Sequence, residues 1–447
     1  MDDSNRGRLM MSAGVGVLLI ALAGGLYACG GEDAPAPAPA PAPAPVPAAP
    51  APALPPPPVK KAPAGPLPGI LMVQSWFPAS GKMKPMPAKL TVWRTDGKDW
   101  YDEEILDKDS SVFHKAMMWR GGILTASAGA IGATPPSPAK LAHWTRDGDG
   151  WSEKVLWAQA WDGKFQRLRD IEVADLDGDG KEEIAIATHD MGVVAVADEA
   201  DDGTWTVQQF DKKADTFVHE VELGDVDGDG KKEFYVTPSG RNKASGESQA
   251  GGVARYDMRD GAYVRSQVVW WDESHAKEIL VTDMDGDGTD ELYVVKEGHV
   301  ERSGKRTKLL DPVNIVRMTP GKGGKWKETV VAKLEGDPQC RFIFAADVNH
   351  DGKKDLVAAG KDTGLWLLER GEDGTYTNSL IDKQSGGFEH AAIHADMDGD
   401  GKDEIYVASD NQKEFRRYQW NGKSWDRTKI ASYPEKHITW NLMPAKL

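Results

Sequence analysis

One pattern, repeated about every fifty residues from Gly69 onward, constrains this chain more than anything else in it. An apolar run, a Gly-containing turn, and a Trp or Tyr that opens a second run recur seven times. The aromatic residue stands at Trp100, Trp151, Trp205, Tyr263, Trp326, Tyr376 and Trp425, at intervals of 49 to 63 residues. Asp-Gly and Asn-Gly turns between alternating runs are strong hairpin signals. Between successive hairpins from Trp151 onward lies a second unit, an acidic loop flanked by apolar runs, which the first two repeats lack. Its first copy spans Asp175 to Glu183, reads DLDGDGKEE and runs into IAIAT; related copies begin at Asp225, Asp283, Asp347 and Asp396.

Each repeat therefore reads as strand, acidic loop, strand, connection, strand, turn, strand. A unit of that size cannot bury both faces of its sheet alone, but in a ring each packs on two neighbours. The expected fold is all-β, a seven-bladed β-propeller of four-stranded antiparallel blades. Only three strands open the first blade, around 70–76, 89–94 and 100–106. One strand, 437–443, is left over at the C-terminus and is expected to become the innermost strand of that blade, which would remove the open edges of the ring. The sixteen Trp residues point to a folded core. With about one aromatic per hairpin, they read as blade packing rather than as sugar platforms.

Within the loops, acids occupy positions 1, 3, 5 and 9, with Asn349 the exception, and Gly is usual at 4 and 6. Alternate oxygens in a tight turn can converge on one hard cation, and the glycines permit the turn. The first half matches an EF-hand, which needs a bidentate Glu at position 12; here position 12 is Ile186, Val236, Val294, Ala358 or Val407. The acid at position 9 closes the site instead. A solvated acidic turn is the alternative, since Asp and Gly favour turns anyway.

The loops and the repeat plan resemble the FG-GAP/VCBS-type repeats of integrin α-subunit propellers and many bacterial surface proteins, over roughly 69–447. The resemblance implies up to five structural Ca2+, held by side chains at positions 1, 3, 5 and 9 and by the carbonyl at position 7. Carried over, the first set is Asp175, Asp177, Asp179, the Lys181 carbonyl and Glu183. The second is Asp225, Asp227, Asp229, the Lys231 carbonyl and Glu233. The third is Asp283, Asp285, Asp287, the Thr289 carbonyl and Glu291. The fourth departs from the pattern, with Asp347, Asn349, Asp351, the Lys353 carbonyl and Asp355, and with His350 in place of Gly. The fifth is Asp396, Asp398, Asp400, the Lys402 carbonyl and Glu404. Five such ions would bring the formal charge from −16 to −6; without them, like charges in tight turns repel.

Residues 1–28 read as a lipoprotein-type signal peptide or a membrane anchor: Arg6 and Arg8 precede twenty uncharged residues. Leu26-Tyr27-Ala28-Cys29 resembles the lipobox of bacterial lipoproteins, which implies lipidation of Cys29. The following Gly30 resembles lipoproteins sent to an outer membrane. Residues 29–68 form an Ala/Pro-rich stalk, whose segment 34–68 holds 16 of the 28 prolines. In polyproline II, at ~3.1 Å per residue, it would reach on the order of 100 Å. Residues 69–447 are the propeller with its five calcium loops. The expected location is the bacterial cell envelope, lipid-anchored at the outer membrane or cell surface. With two cysteines, Cys29 and Cys340, neither a disulfide scaffold nor a Cys-rich zinc site is possible.

The excess of 70 acidic over 54 basic residues argues against nucleic acid as a partner. Locally the sign reverses. Six residues before each loop stand Arg169, His219, Lys277, Arg341 and His390, and the aligned positions in the other two repeats are His114 and His437. They are expected to ring the channel mouth opposite the loops. They either pair with nearby acids such as Asp170, Glu220 or Glu278, or form a basic collar that receives an anion. Long connections add Lys82, Lys84, Arg241, Lys243, Lys296, Arg302, Lys305, Arg306 and Lys308 to that face. No hydrolase elbow, HExxH or phosphate loop occurs, so no catalytic residue is assigned. The expectation is a monomeric, membrane-tethered module that binds an anionic glycan or a protein. A polysaccharide-degrading lyase or hydrolase and a structural part of an envelope assembly are the alternatives.

Overall fold

The computed structural model describes residues 63, 65–78, 86–130, 137–161, 166–189, 191–243, 247–304, 306–433 and 436–447. The expected signal, Cys29 and nearly all of the stalk lie outside these residues, as do Lys82, Lys84 and Lys305. Among the described residues no helix is long and apolar enough to cross a membrane.

The strands run in chain order from β1 (Pro68–Phe77), β2 (Ala88–Thr95) and β3 (Trp100–Asp107) to β4 (Ser110–Trp119), β5 (Gly122–Gly129), β6 (Ala139–Asp147) and β7 (Gly150–Gln159). Then come β8 (Arg167–Ala174), β9 (Glu183–His189), β10 (Val194–Glu199), β11 (Trp205–Phe210), β12 (Thr216–Gly224), β13 (Glu233–Gly240), β14 (Gly251–Arg259) and β15 (Ala262–Trp271). They continue as β16 (Ala276–Thr282), β17 (Glu291–Lys296), β18 (His299–Ser303), β19 (Arg306–Asp311), β20 (Val313–Pro320) and β21 (Trp326–Leu334). The last are β22 (Cys340–Ala346), β23 (Asp355–Gly360), β24 (Leu365–Arg370), β25 (Tyr376–Asp382), β26 (Ala392–Ala395), β27 (Glu404–Ser409), β28 (Glu414–Trp420), β29 (Trp425–Ser432) and β30 (Lys436–Lys446).

The expectation of seven separate four-stranded blades is corrected by the pairing. Five blades are four-stranded: β3-β2-β1-β30, β12-β13-β14-β15, β16-β17-β20-β21, β22-β23-β24-β25 and β26-β27-β28-β29. Strands β4 to β11 instead form one eight-stranded sheet, in the order β11-β10-β9-β8-β5-β6-β7 with β4 also on β5. The physical reason lies at the end of β5. Strand β6 pairs with β5 only as far as Ala126, and backbone groups left open on an edge accept another strand. Here Ala128 pairs with Arg167, and the Gly129 N–H donates to the Gln166 carbonyl at 2.9 Å.

The strand left over at the C-terminus lies antiparallel on β1, from Pro68 opposite Lys446 to Phe77 opposite Lys436. Gln74 Nε2 donates to Thr439 Oγ1 across this pair at 3.0 Å. The inner strands β30, β4, β8, β12, β16, β22 and β26 touch in that order, and β26 returns to β30. The eight-stranded sheet supplies two of them, β4 and β8.

Apolar faces of neighbouring sheets interdigitate, and the hairpin aromatics sit in these seams. Trp326 meets Tyr235 at 6.3 Å and Tyr376 meets Tyr293 at 6.4 Å between ring centroids, and within the eight-stranded sheet Trp205 meets Trp119 at 5.9 Å. Trp100 packs against Tyr406 and Phe415 across the closure, at 5.7 and 6.0 Å. The packing is edge-on or tilted, the arrangement ring quadrupoles favour. The long connection 297–312 is not an open loop. It folds as the two-stranded ribbon β18–β19, pinned where Ser248 Oγ donates to the Gly298 carbonyl at 3.0 Å.

Candidate functional site

The inner strands have two chemically different ends. At one end sit the acidic loops. In the first, the Asp175 carboxylate accepts the N–H groups of Gly178 and Gly180 at 2.7 and 3.0 Å, and Glu183 accepts that of Leu176 at 2.7 Å. The same arrangement recurs at Asp283 with Glu291 and at Asp396 with Glu404. Gly178 and Gly180 adopt φ of 85° and 88°, a left-handed conformation open to Gly. His350, in place of Gly in the fourth loop, is held at φ 60°.

Four loops bring carboxylate oxygens within 4.8 Å of one another: Asp175, Asp177 and Glu183; Asp225, Asp227, Asp229 and Glu233; Asp283, Asp285 and Glu291; and Asp396, Asp398 and Asp400. Among the described residues the fourth loop gathers no three carboxylates in this way; Asn349 stands in place of one of them, and its amide donates to Asp355 at 2.8 Å. The donor sets fit a hard cation on two observations. Buried Glu183 and Glu404 each keep one oxygen without a hydrogen-bond partner. Burial, aided by the neighbouring Asp carboxylates, pushes Glu183, Glu233 and Glu404 up to about 7. These are carboxylates short of positive charge, which a bound cation would supply. Arg255 partly answers the need in the second loop, at 2.6 Å from Asp227 and 3.0 Å from Glu233. The side chains of Lys181 and Lys353 turn outward to Asp201 and Glu372, consistent with a role for these residues through backbone carbonyls alone. Lys231, Thr289 and Lys402 occupy the same loop position.

At the other end, β-bulges set the geometry. The register of the inner strand slips at His114 on β4, Arg169 on β8, His219 on β12, Lys277 on β16 and Arg341 on β22. A bulge leaves its extra residue out of the ladder and re-aims its side chain, and all five residues are buried. The remaining two candidates go elsewhere. His390, outside β26 at φ 56°, turns toward Ser385 and the Gly360 carbonyl at the end of β23 in the neighbouring blade. His437 reaches Asp410 at 2.9 Å. Two residues that the spacing did not reveal join the mouth. Trp440 is the bulge residue of β30 and meets His114 at 4.8 Å. Glu389 bridges Arg341 at 2.8 Å and Arg169 at 3.4 Å.

The mouth is therefore a mixed-charge network rather than a bare basic ring. Burial holds His114, His189 and His219 well below the usual imidazole range, with Arg169 adding repulsion at all three and Lys277 at the last two. Behind the mouth, Lys115 pairs with Asp170 at 2.8 Å and Glu172 at 2.5 Å. Burial pushes Glu220, Glu222 and Glu278 well up, with Asp170 adding repulsion.

One sector of this face opens into a cavity of about 580 Å3, bounded by the ribbon at Val300, Thr307 and Leu309. Lys277 and Arg341 reach it from the mouth, joined by His275, Glu297, Lys243 and Lys361. Phe388, 40% exposed, lies beneath the Arg341 guanidinium at 4.9 Å. Arg341 Nε faces Glu297 at 3.4 Å. Burial pushes the Glu297 carboxyl up to about 7 against the pull of Arg341 and Lys277. Of the predicted basic connections, Lys243 and Lys308 lie at this cavity or the adjoining groove, together with Arg302 and Arg306. Arg241 pairs with Asp215 and Lys296 with Glu273.

Comparison with known proteins agrees on the fold. An FG-GAP-like repeat family matches residues 175–236 and 283–358. No curated protein matches the sequence. Among solved structures, a Lactobacillus plantarum protein aligns with TM-score 0.56 at 13% identity, over 85% of this chain and 99% of its own. A periplasmic gluconolactonase of Pseudomonas aeruginosa aligns with TM-score 0.51 at 14% identity, over 85% and 99%. A putative 6-phosphogluconolactonase of Bacteroides fragilis aligns with TM-score 0.52 at 15% identity, over 84% and 98%. At such identities the likeness concerns architecture alone. This chain is an all-β propeller that carries FG-GAP-like repeats.

Proposed function

We propose that this protein is a membrane-tethered, extracytoplasmic binding module. Its acidic loops hold calcium that stiffens the sheets, and its opposite face receives an anionic group of a glycan or a protein. One observation carries the reading: Lys243 and Lys361 stand on the cavity beside Arg341, and among the described residues neither forms an ion pair. Unpaired cations around a concave site attract and orient an anion. The N-terminal lipid or anchor and the stalk would set the module away from the membrane. Titration calorimetry of the full chain in calcium, against anionic and neutral glycans, tests the reading. Binding of the anionic set that weakens in Lys243→Ala/Lys361→Ala supports it; equal binding of neutral and anionic glycans, or none, overturns it.

A second reading, hydrolysis of a sugar lactone or glycan, is favoured by Glu297. A buried carboxyl that titrates near neutrality beside Arg341 can exchange a proton with a bound substrate. Of the structural neighbours, one is a periplasmic gluconolactonase and another a putative 6-phosphogluconolactonase. Turnover of gluconolactone or an acidic glycan that is lost in Glu297→Gln would decide for this reading.

A further inference from the structure

Three buried lysines of this protein invite comparison. Lys115, 5% exposed, lies against two carboxylates, Asp170 and Glu172. Lys140, 8% exposed, lies against Asp107 and Glu153. Both are structural in the ordinary way, since a buried ammonium persists when acids surround it. Lys277 is more buried than either, at 3%, yet its Nζ meets His219 at 2.6 Å from Nε2 and the side-chain amide oxygen of Asn242 at 2.8 Å, and among the described residues no carboxylate pairs with it. Glu297 and Glu389 stand nearby but are engaged by Arg341 and, for Glu389, also by Arg169. The bulge in β16 aims this side chain into the cavity. Burial, with Arg341 adding repulsion, holds the amine well below the usual lysine range. A lysine shifted in that direction gives up its proton more readily and so frees its lone pair, the condition for reaction with a carbonyl.

We propose that Lys277 is a nucleophilic amine that captures the carbonyl carbon of a small oxo acid in this cavity, with Arg341 receiving the carboxylate. The inference rests on the reading of the cavity as an anion site and deepens it to a ligand class. In the first half of the reaction the Nζ lone pair forms the C–N bond and the carbonyl π pair moves to oxygen. His219, in contact with Nζ, relays a proton from nitrogen to that oxygen. In the second half the hydroxyl leaves with the remaining N–H proton, again by way of His219, and the C=N bond forms. The balance is one amine and one carbonyl giving one imine and one water, with no oxidant or reductant.

The test incubates the full chain at neutral pH with pyruvate and sodium cyanoborohydride, which reduces an imine to a stable secondary amine, and maps the modified peptide by mass spectrometry. Lactate, which carries the same carboxylate without the ketone, serves as competitor, and both acids are titrated calorimetrically. The expected result is a single adduct on Lys277, formed at least about tenfold faster than on exposed Lys98, slowed by lactate and absent from Lys277→Met. Lys277→Arg, with melting behaviour matched to the parent, must also lack the adduct. If both acids bind while Lys277 is labelled no faster than Lys98, the amine inference falls and the anion site stands. If neither acid binds and no preferential label forms, both fall.

Discussion

The two ends of the inner strands solve their electrostatic problem in opposite ways. The acidic loops make their turns from their own residues, and where they touch one another they do so at single points: Asp175 accepts hydrogen bonds from Gly178 and Gly180, three and five residues on, Glu183 accepts one from Leu176, and the Asp225 N–H donates to Asp290 at 2.9 Å. At the mouth almost no group is satisfied by its own neighbours in sequence. Glu389 beside β26 holds Arg169 of β8 and Arg341 of β22, while His189, His219 and Lys277 from three consecutive inner regions meet within 3.0 Å contacts. Damage to a loop should therefore stay local, whereas damage to the mouth should propagate to several sheets. The loop end offers its charge to a cation; the mouth consumes most of its charge internally and opens in the sector of the cavity.

The most severe way to break the comparison is to remove residues 436–447, which deletes β30 and exposes the β1 edge. The cooperative thermal transition should be lost; a truncated chain that melts like the parent would show that closure is dispensable. Next, Glu389→Ala removes the acid shared by two buried guanidinium groups, leaving Arg341 with Glu297 and Arg169 with Glu220, and should cost about 3 kcal/mol in urea denaturation. A cost within about 0.5 kcal/mol, the range of an ordinary surface change, would mean that the mouth network does not couple the sheets.

The pH dependence separates the two ends further. Burial holds the His390 imidazole down to about 4, from an ordinary 6.5. Between those values the unfolded chain binds a proton that the folded one refuses. Stability is thus intact above 6.5 and falls as pH drops toward 4, by about 3 kcal/mol for this group. His390→Gln should flatten that limb of a melting-temperature profile; an unchanged profile would assign acid sensitivity elsewhere. The smallest and most discriminating comparison sets Asp175→Ala against Asp347→Ala. Each change removes the acceptor of two loop N–H groups, at a cost of about 1–3 kcal/mol after chelation. Restoring calcium should widen the deficit of Asp175→Ala only, because the first loop gathers carboxylates and the fourth does not. Equal deficits with calcium present would remove the distinction.

Much of the fold was open to a reader of the sequence, and for a physical reason. Hairpins and acidic loops are made by contacts a few residues apart, so Asp, Gly and an aromatic at fixed spacing carry their own geometry. The packing of Trp100 on the far side of the closure follows from the same repeat, since each hairpin aromatic needs a neighbouring sheet. Residues at the mouth were found by counting back from the loops, and counting succeeds only while the register is constant. It placed Arg169, Lys277 and Arg341 at the mouth, but it substituted His390 for Glu389 and His437 for Trp440. The fourth loop shows how one residue alters a motif: Asn349 turns a would-be ligand into a donor to Asp355.

By itself the sequence determined the all-β repeat, the acidic loops with their hydrogen-bonded turns, and the spare C-terminal strand. All of these are encoded in short-range spacing and in the need of each sheet for a partner. Only the tertiary structure decided that β5 and β8 join into one wide sheet, that bulges turn five basic residues inward, and that Lys277 is left without an acid while Lys115 and Lys140 have two each. These features depend on which backbone groups remain unpaired once the ring has closed. That is a property of all the strands together, and no window of sequence contains it.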